Sequence, residues 1–432
     1  MIKNYEEALS FIHGRQKFKK IPNLDRMSRL MAQLGNPQDS LKMVHVTGTN
    51  GKGSTVAYLT SILLEQGLSV GTFTSPFITR FNERVSLNRN PISDDALLKI
   101  VQEIEPIILD MDQADIDGGP TEFEIVTALM FMYFGQIQPD IVIVEVGIGG
   151  TYDSTNIILP ILSIITTVGM DHMQILGDTL SEIADQKAGI IKPKIPVVLG
   201  NVPDEARLVI ETVANKSQSE LSEWQKDYQV VTNKRTSIYP QYTFRSGRIK
   251  MQLELSMVGE FQIQNSAIAI QSFLKLSQVL TMVPSIKSMK KAIKETRWPG
   301  RMELINEQPA IFIDGAHNVP AIDALITTIE TDFSQQQVYL IVAILADKQA
   351  KKMVDKLLRL PNVKVILTSF AAPYKQRPSI DTTDISEHST KFDTVDSWQD
   401  GLVKVTQEMS SDDILIFTGS LYFISEVRNY FH

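Results

Sequence analysis

The chain has no cysteine among its 432 residues, which removes disulfides, thiolate metal sites and a thiol nucleophile from consideration. It has no basic excess either, since 42 lysines and arginines stand against 50 aspartates and glutamates for a formal net charge of -8. A broad positive field for nucleic acid is thereby excluded, and an anionic ligand has to be held by a few local charges and backbone amides. No run approaches the roughly 20 apolar residues of a membrane span, and the start, MIKNYEEALSFIHG, is too acidic and too short in apolar residues for a secretory signal. Together these absences lead to the expectation of a soluble, cytoplasmic protein with no nucleic-acid or membrane partner. Disorder is excluded as well, because 43% hydrophobic and 21% charged residues make an ordinary globular composition. At this length a single average core is exceeded, so more than one domain is expected.

What the sequence does have is a succession of short apolar runs separated by helix-length stretches: MVHVT (43–47), DIVIVEV (140–146), ILSIITTV (161–168) and PVVLG near 200. Such runs predict buried strands of a mostly parallel sheet with helices on both faces. A second series follows ETRWPGR: AIFIDGA (310–316), VYLIVAIL (338–345), VKVILTSF (363–370) and DILIFTGS (413–420). A second α/β domain is therefore expected from about residue 300, with the Pro299-Gly300 pair as linker. Between 205 and 258 the sequence turns polar, and RSGRIKMQLELSM reads as a peripheral hairpin.

The first strand leads into Gly48-Thr49-Asn50-Gly51-Lys52-Gly53-Ser54-Thr55 and then a helical run, VAYLTSILLEQG. Glycines let backbone amides turn onto phosphate oxygens, Lys52 supplies a point charge, and Ser54 or Thr55 can ligate magnesium at a helix N-terminus. The loop is shorter than the usual phosphate-loop pattern, since Val46 stands where that pattern wants its first glycine. The alternative, a glycine-rich turn that binds nothing, gives Lys52 and the Gly-Ser-Thr that follows no packing role.

Two more strands end in polar groups. DIVIVEV carries Glu145 near its carboxyl end, followed by Gly147-Ile148-Gly149-Gly150 and Asp153-Ser154-Thr155-Asn156, while ILSIITTV leads into Gly169-Met170-Asp171-His172. Ligands of open α/β sheets gather at the carboxyl ends of strands, so Glu145 and His172 are candidate metal ligands. In LSEIADQKAGIIKP, Lys187 stands beside Ala184, Ala188 and Ile191 on a predicted helix, and on its own it reads as a surface lysine laying its stem over apolar neighbours.

Taken in order, HVTGTNGKGST, SPFITRFNERV, TEFEIVTALMFMYF, DIVIVEVGIGGTYDSTN, GMDHMQILGDTLSEIADQKAGIIKP, WPGRMELI, IDGAHN and TGSLYFISEVR resemble the folylpolyglutamate synthase and dihydrofolate synthase family of the Mur ligase superfamily, nearly end to end. The resemblance implies an N-terminal P-loop ATPase-like domain (1–297) with a mostly parallel sheet, and a smaller C-terminal Rossmann-like α/β domain (298–432). It implies that Ser54 and Glu145 hold one magnesium, and that Glu145, His172 and a carbamylated Lys187 organise a second, with a monovalent cation such as potassium as a further candidate. Asn265, Arg301, Asp314 and His317 match nucleotide contacts, so that ATP is clamped between domains. The implied activity is a monomeric ATP-dependent ligase that joins L-glutamate to reduced folate through an acyl phosphate.

Within that family, bifunctional members that also make dihydrofolate carry SPHL and GGRLDATN, where this chain has Ser75-Pro76-Phe77-Ile78 and Gly149-Gly150-Thr151-Tyr152-Asp153-Ser154-Thr155-Asn156. Phe77 in place of a histidine and Thr151 in place of an arginine resemble the lactobacillus-type branch, which implies glutamylation alone; the bifunctional activity remains the alternative. Ser75, Phe77, Phe81, Asp153 and Ser154 are the candidate acceptor contacts. A phosphate-loop kinase or hydrolase, a silent nucleotide-binding scaffold and a peptidoglycan Mur ligase are the other readings. The first does not need Arg301, Asp314 and His317, the second leaves Lys52, Glu145, His172 and Lys187 without a role, and the third lacks an evident N-terminal uridine-nucleotide domain.

Overall fold

In the computed structural model, the described residues are 2–16, 23–114, 118–233, 237–346, 348–370, 379–380 and 392–431. The chain divides into two compact units, one of Met1–Val230, Phe244–Met251 and Asn265–Ile293, the other of Val231–Thr243, Gln252–Gln264 and Lys294–His432.

Eight strands form the main sheet of the first unit: β1 (Met43–Thr47), β2 (Val70–Phe73), β3 (Val85–Leu87), β4 (Asn90–Pro91), β5 (Ile141–Glu145), β6 (Leu162–Ile165), β7 (Val197–Leu199) and β8 (Leu221–Glu223). Their order is β4-β3-β2-β5-β1-β6-β7-β8, parallel from β2 to β8 and antiparallel at the β3 and β4 edge. The strands expected from MVHVT, DIVIVEV, ILSIITTV and PVVLG are β1, β5, β6 and β7, and the hydrophobic pattern found them because their side chains are buried on both faces. β2 and β8 escaped it: Val-Gly-Thr-Phe and Leu-Ser-Glu are too short and too polar to stand out, although both pair fully with a parallel neighbour.

Each face of this sheet has its own core. On one side Phe73, Val142 and Val144 pack with Ile12, Leu30, Ile104, Leu129 and Phe134 from helices Tyr5–His13, Asp25–Gln33, Asp94–Ala114 and Glu122–Ile137. On the other, Val146, Ile165 and Leu199 pack with Ile183, Ala184 and Ala188 of helix Leu180–Ala188 and Ile210 of Asp204–Lys216. Helix Lys52–Glu65 is buried without interruption from Ser54 to Leu63, which accounts for its lack of a polar stripe.

The expected hairpin is present as β10 (Gln241–Ser246) and β11 (Ile249–Glu254), joined with β9 (Tyr228–Thr232) into a three-stranded sheet. The six-stranded sheet of the second unit contains β12 (Glu303–Asn306), β13 (Ala310–Ile313), β14 (Val338–Val342), β15 (Val363–Leu367), β16 (Asp393–Thr394) and β17 (Ile414–Thr418), in the order β12-β13-β17-β14-β15-β16. It is parallel except at β12, and all four predicted runs lie in it. Among the described residues no helix is long and apolar enough to cross a membrane.

Candidate active site

β1 lies at the centre of its sheet between β5 and β6, so the segments leaving these three strands emerge side by side at their carboxyl ends. Those segments carry the phosphate-loop sequence, Glu145 with its glycine turn, and Asp171 with His172. Sequence positions more than a hundred residues apart are thereby gathered at the place where an open α/β sheet receives a ligand.

The loop after β1 is held by backbone and threonine hydroxyls. Thr49 N–H donates to the Thr167 carbonyl (2.9 Å), Asn50 N–H donates to Thr167 Oγ1 (2.9 Å), and the Asn50 carbonyl accepts from Thr166 Oγ1 (2.6 Å) and Thr167 Oγ1 (3.0 Å). Gly51 caps helix Lys52–Glu65 at a φ of +84°, a conformation that suits glycine. There a β-carbon would lie 2.4 Å from Asn265 Oδ1, which places that residue of helix Phe261–Val279 directly against the loop. Lys52 Nζ folds back to donate to the Gly48 carbonyl (2.8 Å). Gly53, Ser54 and Thr55 form the first turn of the helix, with Ser54 and Thr55 buried.

Glu145 ends β5 opposite Val46 of β1 and is only 3% exposed. Its Oε2 accepts from the Ser75 backbone N–H (3.3 Å), which ties the 74–88 segment to the same corner. His172 has a left-handed backbone (φ 51°) and begins the short helix Met173–Leu176; its ring nitrogen lies 3.9 Å from Asp171 Oδ2. Lys187 is 2% exposed, so the surface-lysine reading is overturned: helix Leu180–Ala188 turns it inward. Burial, reinforced by repulsion from Lys52 and opposed by Asp171, lowers its pKa from 10.5 to about 7. Those electrostatic partners put Lys52, Asp171 and Lys187 in one neighbourhood.

The other acceptor candidates are built into the fold. Asp153 Oδ1 accepts from Thr155 N–H (3.0 Å) and Thr155 Oγ1 (2.6 Å), and Oδ2 accepts from Ile148 N–H (3.0 Å), so the carboxylate closes the glycine turn and caps Ser154–Ile157. Ser154 is buried in that short helix. Phe81 is buried, Phe77 partly so, their rings lie 6.0 Å apart at a steep angle, and the Arg84 guanidinium sits 5.3 and 5.6 Å from the two ring centres.

Arg301, Asp314 and His317 form a cluster of their own in the second unit, where β13 ends. Asp314 is buried and accepts from the N–H groups of Met302 and Ala316, both at 2.9 Å. Burial raises its pKa, opposed first by the Arg301 charge. His317 Nδ1 lies 2.8 Å from the Gly315 carbonyl; a carbonyl only accepts, so this nitrogen carries a proton.

Sequence reasoning gave no role to Thr166, Thr167, Asp171 or His45. The two threonines were visible as a polar pair ending an apolar run, and Asp171 as the neighbour of His172; His45 gave no signal inside its strand.

Comparison with known proteins places these features in context. The Mur ligase middle domain matches residues 46–273 and the Mur ligase glutamate ligase domain matches residues 300–421. The chain is 39% identical to the dihydrofolate synthase/folylpolyglutamate synthase of Bacillus subtilis over 99% of both chains, and 39% identical to the folylpolyglutamate synthase of Lacticaseibacillus casei over 98% of both. Among solved structures, the apo form of the L. casei enzyme (FPGS) superposes with a TM-score of 0.87 at 34% identity. An FPGS complex with AMPPCP and folate superposes with a TM-score of 0.87 at 36% identity, each chain covered to 99%.

Proposed function

Since the chain belongs to the folylpolyglutamate synthase and dihydrofolate synthase family of the Mur ligases, we propose that it is an ATP-dependent acid–amino-acid ligase that adds L-glutamate to the γ-carboxylate of reduced folates, releasing ADP and phosphate. The observation that carries this reading is the meeting of the phosphate loop and buried Glu145 at adjoining strand ends of one sheet, with buried Lys187 of helix Leu180–Ala188 in the neighbourhood of Lys52, in a chain similar over 99% of its length to a synthase solved with a nucleotide analogue and folate.

The chemical problem is that a carboxylate is a poor electrophile, because its charge repels an amine and oxide cannot leave. A γ-carboxylate oxygen therefore attacks the terminal phosphorus of ATP, ADP departs, and the acyl phosphate now has phosphate as its leaving group. The glutamate nitrogen attacks the acyl carbon, loses a proton, and the tetrahedral intermediate collapses to the amide. Lys52 and the N-terminus of helix Lys52–Glu65 offset charge on the moving phosphoryl group, so catalysis is mainly positioning and electrostatics.

Magnesium fits the residues present. It takes oxygen donors, keeps several waters and needs only one or two carboxylates beside substrate phosphates, and the buried Ser54 hydroxyl and Glu145 carboxylate are such donors. Ser54 and Glu145 are proposed to hold one ion, and Glu145, His172 and a carbamate on Lys187 a second; when bound, they supply positive charge opposite the transferring phosphoryl. A pKa lowered to about 7 supports the carbamate, because the neutral amine nitrogen attacks carbon dioxide and releases a proton to form the carboxylate. In the second unit, Arg301, Asp314 and His317 are proposed as nucleotide contacts.

Phe77 in place of a histidine and Thr151 in place of an arginine support glutamylation without dihydrofolate synthesis. Dihydropteroate ends in a short benzoate carboxylate, whereas a folate reacts one glutamate further out, and misplacement by about 1 Å costs roughly a hundredfold in rate. ADP release under saturating ATP, magnesium and glutamate, with dihydropteroate or tetrahydrofolate as acceptor, tests this. Turnover with tetrahydrofolate and at least about a hundredfold lower kcat/KM with dihydropteroate is expected. Comparable values establish the bifunctional alternative, which the equal identity to a bifunctional relative keeps in view, and no release with either acceptor refutes the proposal.

A further inference from the structure

His45 is fully buried in the middle of β1, and no step of the reaction uses it. Its Nε2 lies 2.8 Å from Thr155 Oγ1, and that hydroxyl is 2.6 Å from Asp153 Oδ1. A threonine hydroxyl has one proton. Directed at the carboxylate, it leaves only lone pairs for the imidazole, so the imidazole donates from Nε2 and Nδ1 is bare. Nδ1 has no hydrogen-bond partner among the described residues. Burial, with the charge of Lys192 adding to it, holds the ring neutral by lowering its pKa to about 3. An apolar side chain of similar size would fill this space without leaving a buried acceptor unsatisfied.

The bonds run onward to the active corner. Asp153 Oδ2 accepts from Ile148 N–H (3.0 Å) in the turn that follows Glu145, and Thr47, two residues beyond His45, donates its hydroxyl to the Gly149 carbonyl of the same turn (2.6 Å). Past the turn, Thr151 N–H donates to the Gln186 carbonyl (2.8 Å) and Asn156 Nδ2 donates to the Gly189 carbonyl (3.1 Å). These two bonds fasten the 151–156 segment to the end of the helix that presents Lys187.

Resting on the ligase reading above, we propose that His45 is a positioning residue: its Nε2–H orients the Thr155 hydroxyl onto Asp153, and through Asp153 it sets the placement of Glu145 on one side and Lys187 on the other. His45 and Thr155 themselves are among neither the nucleotide contacts nor the acceptor contacts named above. Loss of the relay lowers the rate of the assembled complex and leaves nucleotide binding alone.

The experiment first establishes glutamate ligation in the parent protein, so that a failed ligase reading is recognised separately, and then compares His45→Leu, His45→Gln, Thr155→Val, Thr155→Ser and the double variant His45→Leu/Thr155→Val. His45→Leu and Thr155→Val each lower kcat by about 10- to 100-fold with KM for ATP within about twofold. Glutamine reaches the Nε2 position with an N–H, and serine keeps the hydroxyl, so His45→Gln and Thr155→Ser stay within several-fold of the parent. The double variant is no slower than the worse single one, because both cut one chain. Nitrogen-15 NMR of the histidine-labelled parent shows His45 as the neutral Nε2–H tautomer. Equal kcat for glutamine and leucine at position 45, or for serine and valine at 155, overturns the proposal, as do multiplied losses in the double variant. If His45→Leu fails to fold, the serine and valine pair at Thr155 decides the matter alone.

Discussion

Replacing Lys187 by methionine, a buried apolar side chain of similar length, removes the most strongly desolvated cation of the candidate site. Lys187 has an ordinary pKa of 10.5 when unfolded and about 7 when folded. Below the folded value it is protonated in both states, and folding bears the whole cost of burying the charge. Between the two values the unfolded chain binds a proton that the folded one does not, so stability rises with pH; above 10.5 the lysine is neutral in both states and the cost is gone. At about 1.4 kcal/mol per pH unit, the full cost is roughly 5 kcal/mol. Urea unfolding in metal-free, carbon-dioxide-free buffer is the assay. Lys187→Met is expected to be more stable than the parent near neutrality, with the advantage shrinking by about 2 kcal/mol between about pH 7.5 and about pH 9. Added bicarbonate at neutral pH is expected to narrow the gap by stabilising the parent alone, while ligation is lost in the variant. Parallel stability curves across that range refute the reasoning, because they mean that Lys187 is not desolvated in the folded protein.

Two further predictions concern the loop and the strand beside it. Gly51→Ala forces a β-carbon into a left-handed backbone 2.4 Å from Asn265 Oδ1, and is expected to weaken nucleotide binding by at least about tenfold; a dissociation constant for a non-hydrolysable ATP analogue equal to the parent's contradicts the role given to the loop. Glu145→Gln removes a charged oxygen donor and is expected to raise the magnesium concentration for half-maximal turnover by about tenfold or more; superimposable magnesium titrations assign Glu145 to structure instead.

The parts of the fold that are buried on both faces were legible in the sequence, because burial writes continuous apolar runs. β1, β5, β6 and β7, with all four expected strands of the second unit, were found this way. β2 and β8 were not, since short strands containing glycine or glutamate owe their place to neighbours rather than to their own pattern. The same distinction separates the site residues. The phosphate loop carries its chemistry in consecutive residues, and Glu145 is an acid ending an apolar strand. Lys187 is different: its charge favoured a surface lysine with its stem over the apolar neighbours Ala184, Ala188 and Ile191, whereas packing of helix Leu180–Ala188 against the glycine turn buries it. His45 gave no signal because its significance lies in contacts with Thr155, 110 residues away.

The central claim is that the acceptor carboxylate is activated by phosphorylation before the amine arrives, and transfer of a carboxylate oxygen to phosphate tests it most directly. Tetrahydrofolate labelled with oxygen-18 in its γ-carboxylate is incubated with the protein, ATP, magnesium and L-glutamate, and the released phosphate is examined by phosphorus-31 NMR. An acyl phosphate predicts one labelled oxygen in each phosphate formed with product. Phosphate released at the rate of product formation but carrying no label contradicts the account.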